Sequence, residues 1–468
     1  MTSPLRSPRL RRILTAYTVN RLGTWFGAIA LSVAVFDHTH SALAVAAMLI
    51  AGQVVPAFAV PAVVARVEAS SRRHELSALY FFEGVTTAAL AVLLWHFWLP
   101  AVLILVALDG TAALAASALL RTEAARAARD ELDTGSQQPT AAEDGLQTGA
   151  HAAEQKANAA INVAFSMTFV LGPAIGGAIV AGAGASTALF LDTVSFLLCG
   201  MLLADLHPHV EEAAGESVRT RLRAAWRHIN DVPPLRALLI AQAVALIFFE
   251  SAAPIEVAYA KATLHAGDRG YGLLVAAWGV GVVLGSIVFA RSARRPLRTM
   301  MSAGTFAVGL AYVGFAAAPS LLLATMAAVI GGIGNGVQWA PFVSAVQRLT
   351  PQRLQGRVMG AVESIGALSP ALGLSLGGAL VALSSPRAAF LVVGAGAVLT
   401  TIAFVRVPVA GAGEPAATSG EADGTDPAWE AETAAEAPIA ADITVRDPSV
   451  RAAIREQVSA GQGEVVDR

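Results

Sequence analysis

Three ionisable residues, Arg21, Asp109 and Glu250, stand inside long apolar stretches of this chain. A charge in such a stretch is costly in lipid unless it is paired or reached by water. At about 1.5 Å rise per residue, Arg21 lies roughly 12 Å and Asp109 roughly 16 Å from the start of its stretch, so the two could form an ion pair. Glu250 has no basic neighbour in its own stretch, so burial should favour its protonated form and make it a candidate for reversible protonation. Alternatively, the Arg21 and Asp109 pair is purely structural and Glu250 faces outside water.

The sequence contains no enzyme motif in the structural context that the motif requires. A GxSxG string occurs at 373–377, but it lies in an apolar helical stretch and not between a strand and a helix. The histidine pairs at 38/40 and 207/209 lack metal-ligand spacing, and there is no HExxH motif. Neither Lys156 nor Lys261 follows a glycine, which excludes a phosphate-binding GxxxxGK[ST] loop. We expect no enzymatic activity, no metal and no cofactor.

The composition indicates a chain that lies mostly in a membrane. Of its 468 residues, 55% are hydrophobic and 14% are charged, and its mean hydropathy is +0.60. Soluble domains carry about 25% charged residues. A single cysteine, Cys199, excludes an intramolecular disulfide. The polar segments 122–155 and 409–468 contain few aromatic residues, and we expect them to be disordered or at most fraying helix.

Apolar runs long enough to cross a bilayer predict an all-α polytopic membrane protein of twelve helices. The predicted spans are 13–36, 42–65, 75–95, 98–120, 157–182, 186–206, 236–260, 271–290, 299–318, 320–346, 358–383 and 386–406. Lys and Arg distribute unequally between the two sides, with 24 on the side of the N-terminus and 3 on the other. Loops rich in these residues stay cytoplasmic, which predicts that both termini are cytoplasmic.

The two halves of the chain repeat each other. Segment 171–191 matches 372–392 without a gap at 8 of 21 positions, an offset of 201 residues. Span 5 thus corresponds to span 11, and both run in the same direction, so the repeat is parallel. We predict a cytoplasmic segment 1–12, a six-helix bundle 13–206, a cytoplasmic linker 207–235, a second six-helix bundle 236–408 and an acidic cytoplasmic tail 409–468.

The sequence resembles the major facilitator superfamily on the strength of these halves and of several motifs. The motifs are a GPxxGG run in span 5 (Gly172, Pro173, Gly176, Gly177), Tyr271-Gly272 opening span 8, Asn158 and Asn162 ahead of span 5, and Gly356-Arg357-Val358-Met359-Gly360 entering span 11. Within it the chain is similar to the drug:proton antiporter branch that includes macrolide-efflux-like and siderophore-exporter-like proteins. The superfamily's turn between spans 2 and 3 keeps Glu68, Arg72 and Arg73 but lacks its glycine and first arginine.

The resemblance implies that spans 1, 4, 7 and 10 line a central cavity. Arg21, Asp109 and Glu250 then become candidates for proton coupling. Aromatic and amide side chains of the same spans become candidates for substrate contact, namely Trp25, Phe26, Phe249, Asn335, Gln338 and Trp339. Glu83, Asp192 and Glu363 lie on helices that the resemblance places farther from the cavity. For the glycines and proline of span 5 two roles stay open: tight helix packing, or a bend that seals span 5 against the other half.

The expected function is secondary active transport by alternating access. The resemblance implies a proton-coupled exporter of an amphipathic small molecule such as a drug, antibiotic or siderophore. We expect a monomer in the plasma (inner) membrane, with protons and membrane lipid as its other partners and no nucleic acid. Two alternatives remain: a lipid or lysolipid flippase on the same fold, and a non-transporting membrane sensor or scaffold.

Overall fold

The computed structural model describes residues 8–69, 74–135, 164, 167–168, 171–173, 175–204, 226–292 and 295–406. Within these ranges the regular structure is helical and contains no strand, which confirms the all-α prediction. In chain order the helices are α1 Pro8–Thr39, α2 Ala42–Ala69, α3 Glu75–Leu93, α4 Leu99–Gly135, α5 Leu171–Ala183, α6 Ala185–Leu202, α7 Pro233–Ala258, α8 Gly267–Arg291, α9 Leu297–Ala317, α10 Leu321–Arg348, α11 Gln352–Leu383 and α12 Pro386–Arg406.

Every helix except α5 is long and apolar enough to cross a membrane, which makes 11 candidate spans in the described part of the chain. The α5 helix is apolar and shorter, and most of residues 157–170 of the predicted fifth span lie outside the described residues. Helices suit lipid because they satisfy their own backbone donors and acceptors. The helices fall at the predicted positions, one for each predicted span.

Proline and glycine set several of the helix ends. Pro233 begins α7 and Pro386 begins α12, positions at which the missing N–H of proline is not needed for the helix. Gly184 separates α5 from α6 with φ of 86°, a left-handed conformation that glycine adopts without steric cost. The chain can therefore reverse direction between α5 and α6 with a single residue.

The α4 helix extends beyond its predicted end. It continues to Gly135, whereas the sequence placed the end of the span near residue 120 and predicted disorder or at most fraying helix after it. Residues 121–132 are rich in Ala, Arg and Glu, which are strong helix formers, so the helix continues where the hydropathy falls. Glu123 in this extension is buried and accepts a hydrogen bond from Arg9 of α1 at 2.9 Å.

Helices α1 to α6 and helices α7 to α12 form two bundles with the same internal contacts. In the first bundle α1 packs on α6, α2 on α4, and α3 on both α4 and α6. In the second, α7 packs on α12, α8 on α10, and α9 on both α10 and α12. Each contact recurs with a shift of six helices, which confirms the parallel duplication predicted from the match between 171–191 and 372–392.

Glycines bring the two bundles into close contact at two equivalent crossings. A Cβ on Gly177 of α5 would lie 2.7 Å from the Cα of Gly272 of α8, so only glycine fits at this position. A Cβ on Gly378 of α11 would lie 2.9 Å from the Cβ of Ala46 of α2. Gly177 and Gly378 are separated by the repeat offset, so the duplication places both crossings at the same end of the bundles.

The apolar core divides into three clusters. One contains residues of both bundles, and the other two each contain residues of a single bundle. The largest contains residues of both bundles, among them Val33, Val45, Ile255 and Phe390. It lies where α1 ends and α2 begins, which we call the joined end. At the opposite end, the terminal end where α1 begins and α12 ends, one cluster belongs to α1, α3, α4 and α6 and another to the second bundle. Among the residues that the structure describes, the two bundles thus share a core at the joined end and have separate cores at the terminal end.

Candidate functional site

The side chains predicted to contact substrate on α1 lie at its crossing with α5. A Cβ on Gly172 would meet Trp25 at 2.5 Å from ring atom Cδ1, and a Cβ on Gly176 would lie 3.3 Å from the Cα of Phe26. Trp25 and Phe26 are both half-buried. The glycines of α5 thus provide the space that these two residues of α1 occupy.

Glu250 occupies the corresponding position in the second bundle. A Cβ on Gly373 of α11 would lie 2.6 Å from the Cβ of Glu250. Gly172 is the equivalent of Gly373 in the first bundle, and a Cβ there would meet Trp25. Glu250 is half-buried. The duplication therefore replaces an aromatic ring of the first bundle by a carboxyl group in the second.

Asp109 binds hydroxyl groups of α3 and does not form the predicted ion pair with Arg21. Its Oδ1 accepts hydrogen bonds from Thr86 at 2.7 Å and Thr87 at 3.1 Å. Both Arg21 and Asp109 are described residues, and no ion pair joins the two in the described part of the chain. The prediction failed because it compared depth alone, whereas the carboxyl group faces the neighbouring helix, where two adjacent threonines satisfy it.

Two further carboxyl groups lie close to Asp109, and the sequence had placed both away from the site. Glu83 of α3 and Asp192 of α6 are buried, with 0% and 4% of their surfaces exposed. The charges of Asp109 and Asp192 both act on Glu83. Contacts between α3 and α6 are not encoded locally in the sequence, so only the spacing of Glu83 from Thr86 and Thr87 on one face of α3 could have suggested this cluster.

Gln338 of α10 is not available to a substrate as predicted. Its Nε2 donates a hydrogen bond to Oε1 of Gln242 on α7 at 2.7 Å, and only 7% of the residue is exposed. A Cβ on Gly304 of α9 would lie 2.8 Å from the Cβ of Gln338, so the close approach of α9 covers the amide. Asn335, which shares its helix face, is half-buried and keeps its candidate role.

The remaining aromatic candidates differ in their surroundings. Trp339 of α10 is 47% exposed, with its ring centroid 5.7 Å from that of Phe342. Phe249 of α7 is half-buried and lies 5.9 Å from the ring of Trp278, which stacks on Tyr312 at 5.7 Å. Trp339 thus offers an open aromatic face, whereas Phe249 borders a packed aromatic core of the second bundle.

An ion-pair network connects the bundles at the joined end. Lys261 lies in a π-helical turn, Tyr259–Thr263, that follows α7. Its Nζ is 2.6 Å from Oδ1 of Asp37 on α1 and 2.6 Å from Oδ1 of Asp268 on α8. Asp37 is 224 residues from Lys261 along the chain, so this contact is not visible in the sequence.

Part of the conformational motif lies outside what the structure describes. Arg72 and Arg73, the side chain of Glu68, and Asn158 and Asn162 are among these residues. The same holds for the tail 409–468 and for residues 136–155 of the polar segment. The roles predicted for these residues stay predictions.

Comparison with known proteins agrees with this architecture. Residues 238–454 match the model of the Major Facilitator Superfamily. The chain is 27% identical over 422 residues to the multidrug efflux pump Tap of Mycolicibacterium fortuitum, covering 87% of this chain and 97% of that protein. It is 27% identical over 261 residues to Tap of Mycobacterium tuberculosis, a match that spans only 61% of that relative's length.

A solved structure shares the fold at low sequence identity. The nucleoside transporter NupG superposes with a TM-score of 0.63 at 12% identity, over 85% of this chain and 98% of that chain. This likeness concerns the fold of two duplicated six-helix bundles. Together the comparisons show that the chain is similar to the major facilitator superfamily and to proteins named as multidrug efflux pumps.

Proposed function

We propose that the protein is a proton-coupled exporter of amphipathic small molecules that works by alternating access. The observation that carries this proposal is the unequal contact between the bundles, which share a core at the joined end and have separate cores at the terminal end. Two duplicated bundles in this arrangement can rock about the site between them and expose it to one side at a time. The relatives named as multidrug efflux pumps support the direction of transport.

The distribution of Lys and Arg supports the assignment of sides. The basic residues cluster in the loops of the terminal end, which the positive-inside rule places in the cytoplasm. In the conformation described here the molecule is then closed toward the outside. We infer that this is the state that loads substrate from the cytoplasm.

The lining of the central site supports a bulky, weakly polar substrate. In the proposed site Trp25, Phe26 and Trp339 would provide aromatic surface, and Asn335 would provide a neutral amide. Aromatic rings contribute contact area to a site with little demand on the exact shape of the ligand, while one amide can orient it. Gln338 is left out of this set because its amide is bonded to Gln242.

Glu250 is the proposed link between substrate and proton at this site. It sits on α7 against Gly373 of α11, where a change in the crossing of these two helices alters its exposure. A carboxyl group in lipid favours the neutral form, whereas contact with water favours the charged form. Alternation between the two environments would therefore bind and release a proton.

Inverted membrane vesicles with a pH-sensitive dye test this proposal. A proton gradient is imposed, a panel of amphipathic antibiotics is added, and wild type is compared with Glu250→Gln. Asp231→Asn, an exposed acid ahead of α7, is the matched control. We expect at least one compound to dissipate the gradient in wild type and in the control but not in Glu250→Gln. Equal dissipation in all three proteins excludes Glu250 from coupling, and no response to any compound in correctly inserted wild type contradicts drug:proton exchange.

A further inference from the structure

The first bundle contains a group of carboxylates that the central site does not account for. They are Glu83 on α3, Asp109 on α4 and Asp192 on α6, and they lie at a similar level of the bundle. Ser77 of α3 donates a hydrogen bond to the carbonyl of Gly200 on α6 at 2.6 Å, and Gly84 faces Leu197. The two helices are therefore antiparallel.

The same register fixes the level of each acid. Asp192 lies about two helical turns from Gly200, which is bonded to Ser77. In an antiparallel pair this places Asp192 at the level of Thr86 and Thr87, whose hydroxyls bind Asp109. Glu83 precedes these threonines by three and four residues and thus shares their face of α3. Asp109 thus lies beside the face of α3 that carries Glu83. Asp192 lies at the same level of α6, with its carboxyl group against Gly23 and Gly27 of α1.

Glu83 is the member of the group that most needs a ligand. Neither of its carboxyl oxygens is exposed, and neither has a hydrogen-bond partner in the described structure. An ionised carboxylate without partners is costly to bury, and a bound proton removes that cost. The other two acids do have partners, since Asp109 binds the threonine hydroxyls and Oδ1 of Asp192 lies 3.2 Å from Oγ of Ser195.

Other titratable or charged side chains lie on the helices around this region. They are Tyr80 on α3, Cys199 on α6, and Tyr17 and Arg21 on α1. Asp109 and Asp192, at the same level of the bundle, carry charge of the same sign as Glu83. The α1 helix comes close to Asp192 at Gly23 and Gly27, where a Cβ on Gly27 would lie 2.5 Å from Oδ2 of Asp192. The backbone of α1 at these two glycines therefore covers the carboxyl group of Asp192.

The chemistry of the group favours a proton over a metal ion. A sodium or divalent ion needs several oxygen ligands around one point. In the part of the chain that the structure describes, no set of three or more acidic, histidine or cysteine side chains is close enough to hold a metal ion. A proton needs only one carboxyl oxygen, and neighbouring carboxylates that cannot all be ionised together share it readily.

We propose that Glu83, Asp109 and Asp192 form a single proton-binding site inside the first bundle, separate from the substrate site between the bundles. Asp109 is half-buried and is the member through which a proton enters. Glu83 and Asp192 hold the proton behind it, and the same proton leaves to solvent through Asp109. This inference deepens the proposed function, on which its role in transport rests.

Chemical labelling tests the site without any knowledge of the substrate. Dicyclohexylcarbodiimide is an apolar reagent that adds to protonated carboxyl groups in membranes, and mass spectrometry of the purified protein assigns the labelled residue. We expect Glu83 to be labelled near neutral pH and to lose labelling as the pH rises. Asp192→Asn and Asp109→Asn should each move the midpoint of this loss to lower pH, because each removes a neighbouring negative charge. Glu75→Gln, on the same helix as Glu83, should not move it.

Two results would overturn the proposal. The first is that Glu83 stays unlabelled between about pH 5 and pH 9, a range above the ordinary glutamate pKa of about 4.3 in which a buried carboxyl group that binds a proton would be labelled. The second is a labelling midpoint that neither Asp192→Asn nor Asp109→Asn changes, since the three groups would then not be one site. Monodisperse gel filtration of each variant ensures that the comparison concerns folded protein.

Proton flux in vesicles separates this inference from the proposed function. If wild type couples drug flux to protons and Glu83→Gln reduces that coupling at least tenfold while Glu75→Gln does not, both stand. If Glu83→Gln leaves coupling unchanged, the carboxylate site is not on the proton route and the inference fails while the proposed function stands. If labelling behaves as expected but no drug drives proton flux, the site stands and the proposed function fails.

Discussion

Lys261 of the second bundle lies 2.6 Å from Asp37 of the first, and this ion pair connects the bundles at their joined end. Lys261 also lies 2.6 Å from Asp268, which belongs to its own bundle. One cation thus serves two carboxylates, of which only Asp37 has to separate from it when the joined end opens. The two acids therefore provide a matched pair of substitutions.

We predict that Asp37→Asn shifts the protein toward a state that is open at the joined end, whereas Asp268→Asn does so much less. Partly exposed ion pairs contribute about 0.5 to 1 kcal/mol, which corresponds to a change of about 2- to 5-fold in the ratio of states. The measurement is the labelling rate of Val33→Cys by a membrane-impermeant maleimide, because Val33 is buried in the shared cluster. The native Cys199 is buried and adds little background. Equal rates in Asp37→Asn and the parent would show that the ion pair does not hold this end closed.

We predict that Gly177→Val abolishes transport while the protein still inserts and folds. Its side chain would enter the backbone of α8 at Gly272, and such overpacking costs about 1 to 3 kcal/mol, enough to reduce the population of the joined state about 5-fold or more. Gly182→Val is the control on the same helix, because nothing lies within 4 Å of a Cβ there. Drug efflux from intact cells, normalised to protein in the membrane, is the readout. Full efflux by Gly177→Val would mean that transport does not require the close approach of α5 and α8 at this crossing.

We predict that Gln338→Leu lowers thermal stability and that adding Gln242→Leu restores most of it. The single change leaves the buried amide of Gln242 without its partner, at a cost of about 1 to 3 kcal/mol, whereas the double change removes both polar groups. Thermal unfolding of the purified protein in detergent measures this. Efflux by the double variant decides the role of the amide: activity near that of wild type agrees with a structural pair, and a stable but inactive double variant would return Gln338 to the substrate site.

We predict that Arg9 and Glu123 are energetically coupled. The carboxyl group of Glu123 is fully buried and 2.9 Å from Arg9, and it attaches the start of α1 to the extension of α4. A double-mutant cycle with Arg9→Met and Glu123→Gln should give a coupling of about 1 to 3 kcal/mol in unfolding free energy, as for hydrogen bonds to charged groups. A coupling near zero would show that the extension is held by other contacts.

The sequence predicts the fold of this protein better than it predicts the site. Spans and the duplication are visible because lipid requires long apolar helices and because both halves kept the glycines of α5 and α11. The extension of α4 to Gly135 was missed because hydropathy was followed where helix propensity should have been.

The errors at the site concern contacts between distant parts of the chain. The depth of Arg21 and Asp109 was estimated from sequence, but the direction in which Asp109 points depends on the packing of α3 against α4. The partner of Lys261 is 224 residues away on α1, and the partner of Gln338 is 96 residues away on α7. Glu83 and Asp192 appeared peripheral because each was considered one helix at a time.

The glycine crossings at the joined end have a consequence for the release of cargo. At Gly177 and Gly272 the closure is backbone against backbone, so when it parts it presents no side chains of its own. On the proposed export route this crossing itself would offer a departing amphipathic molecule few groups to adhere to, in contrast to the apolar side chains of the core at the same end. Such a crossing favours export of hydrophobic compounds, because a molecule that binds strongly at the last step is returned to the cell when the transporter turns over.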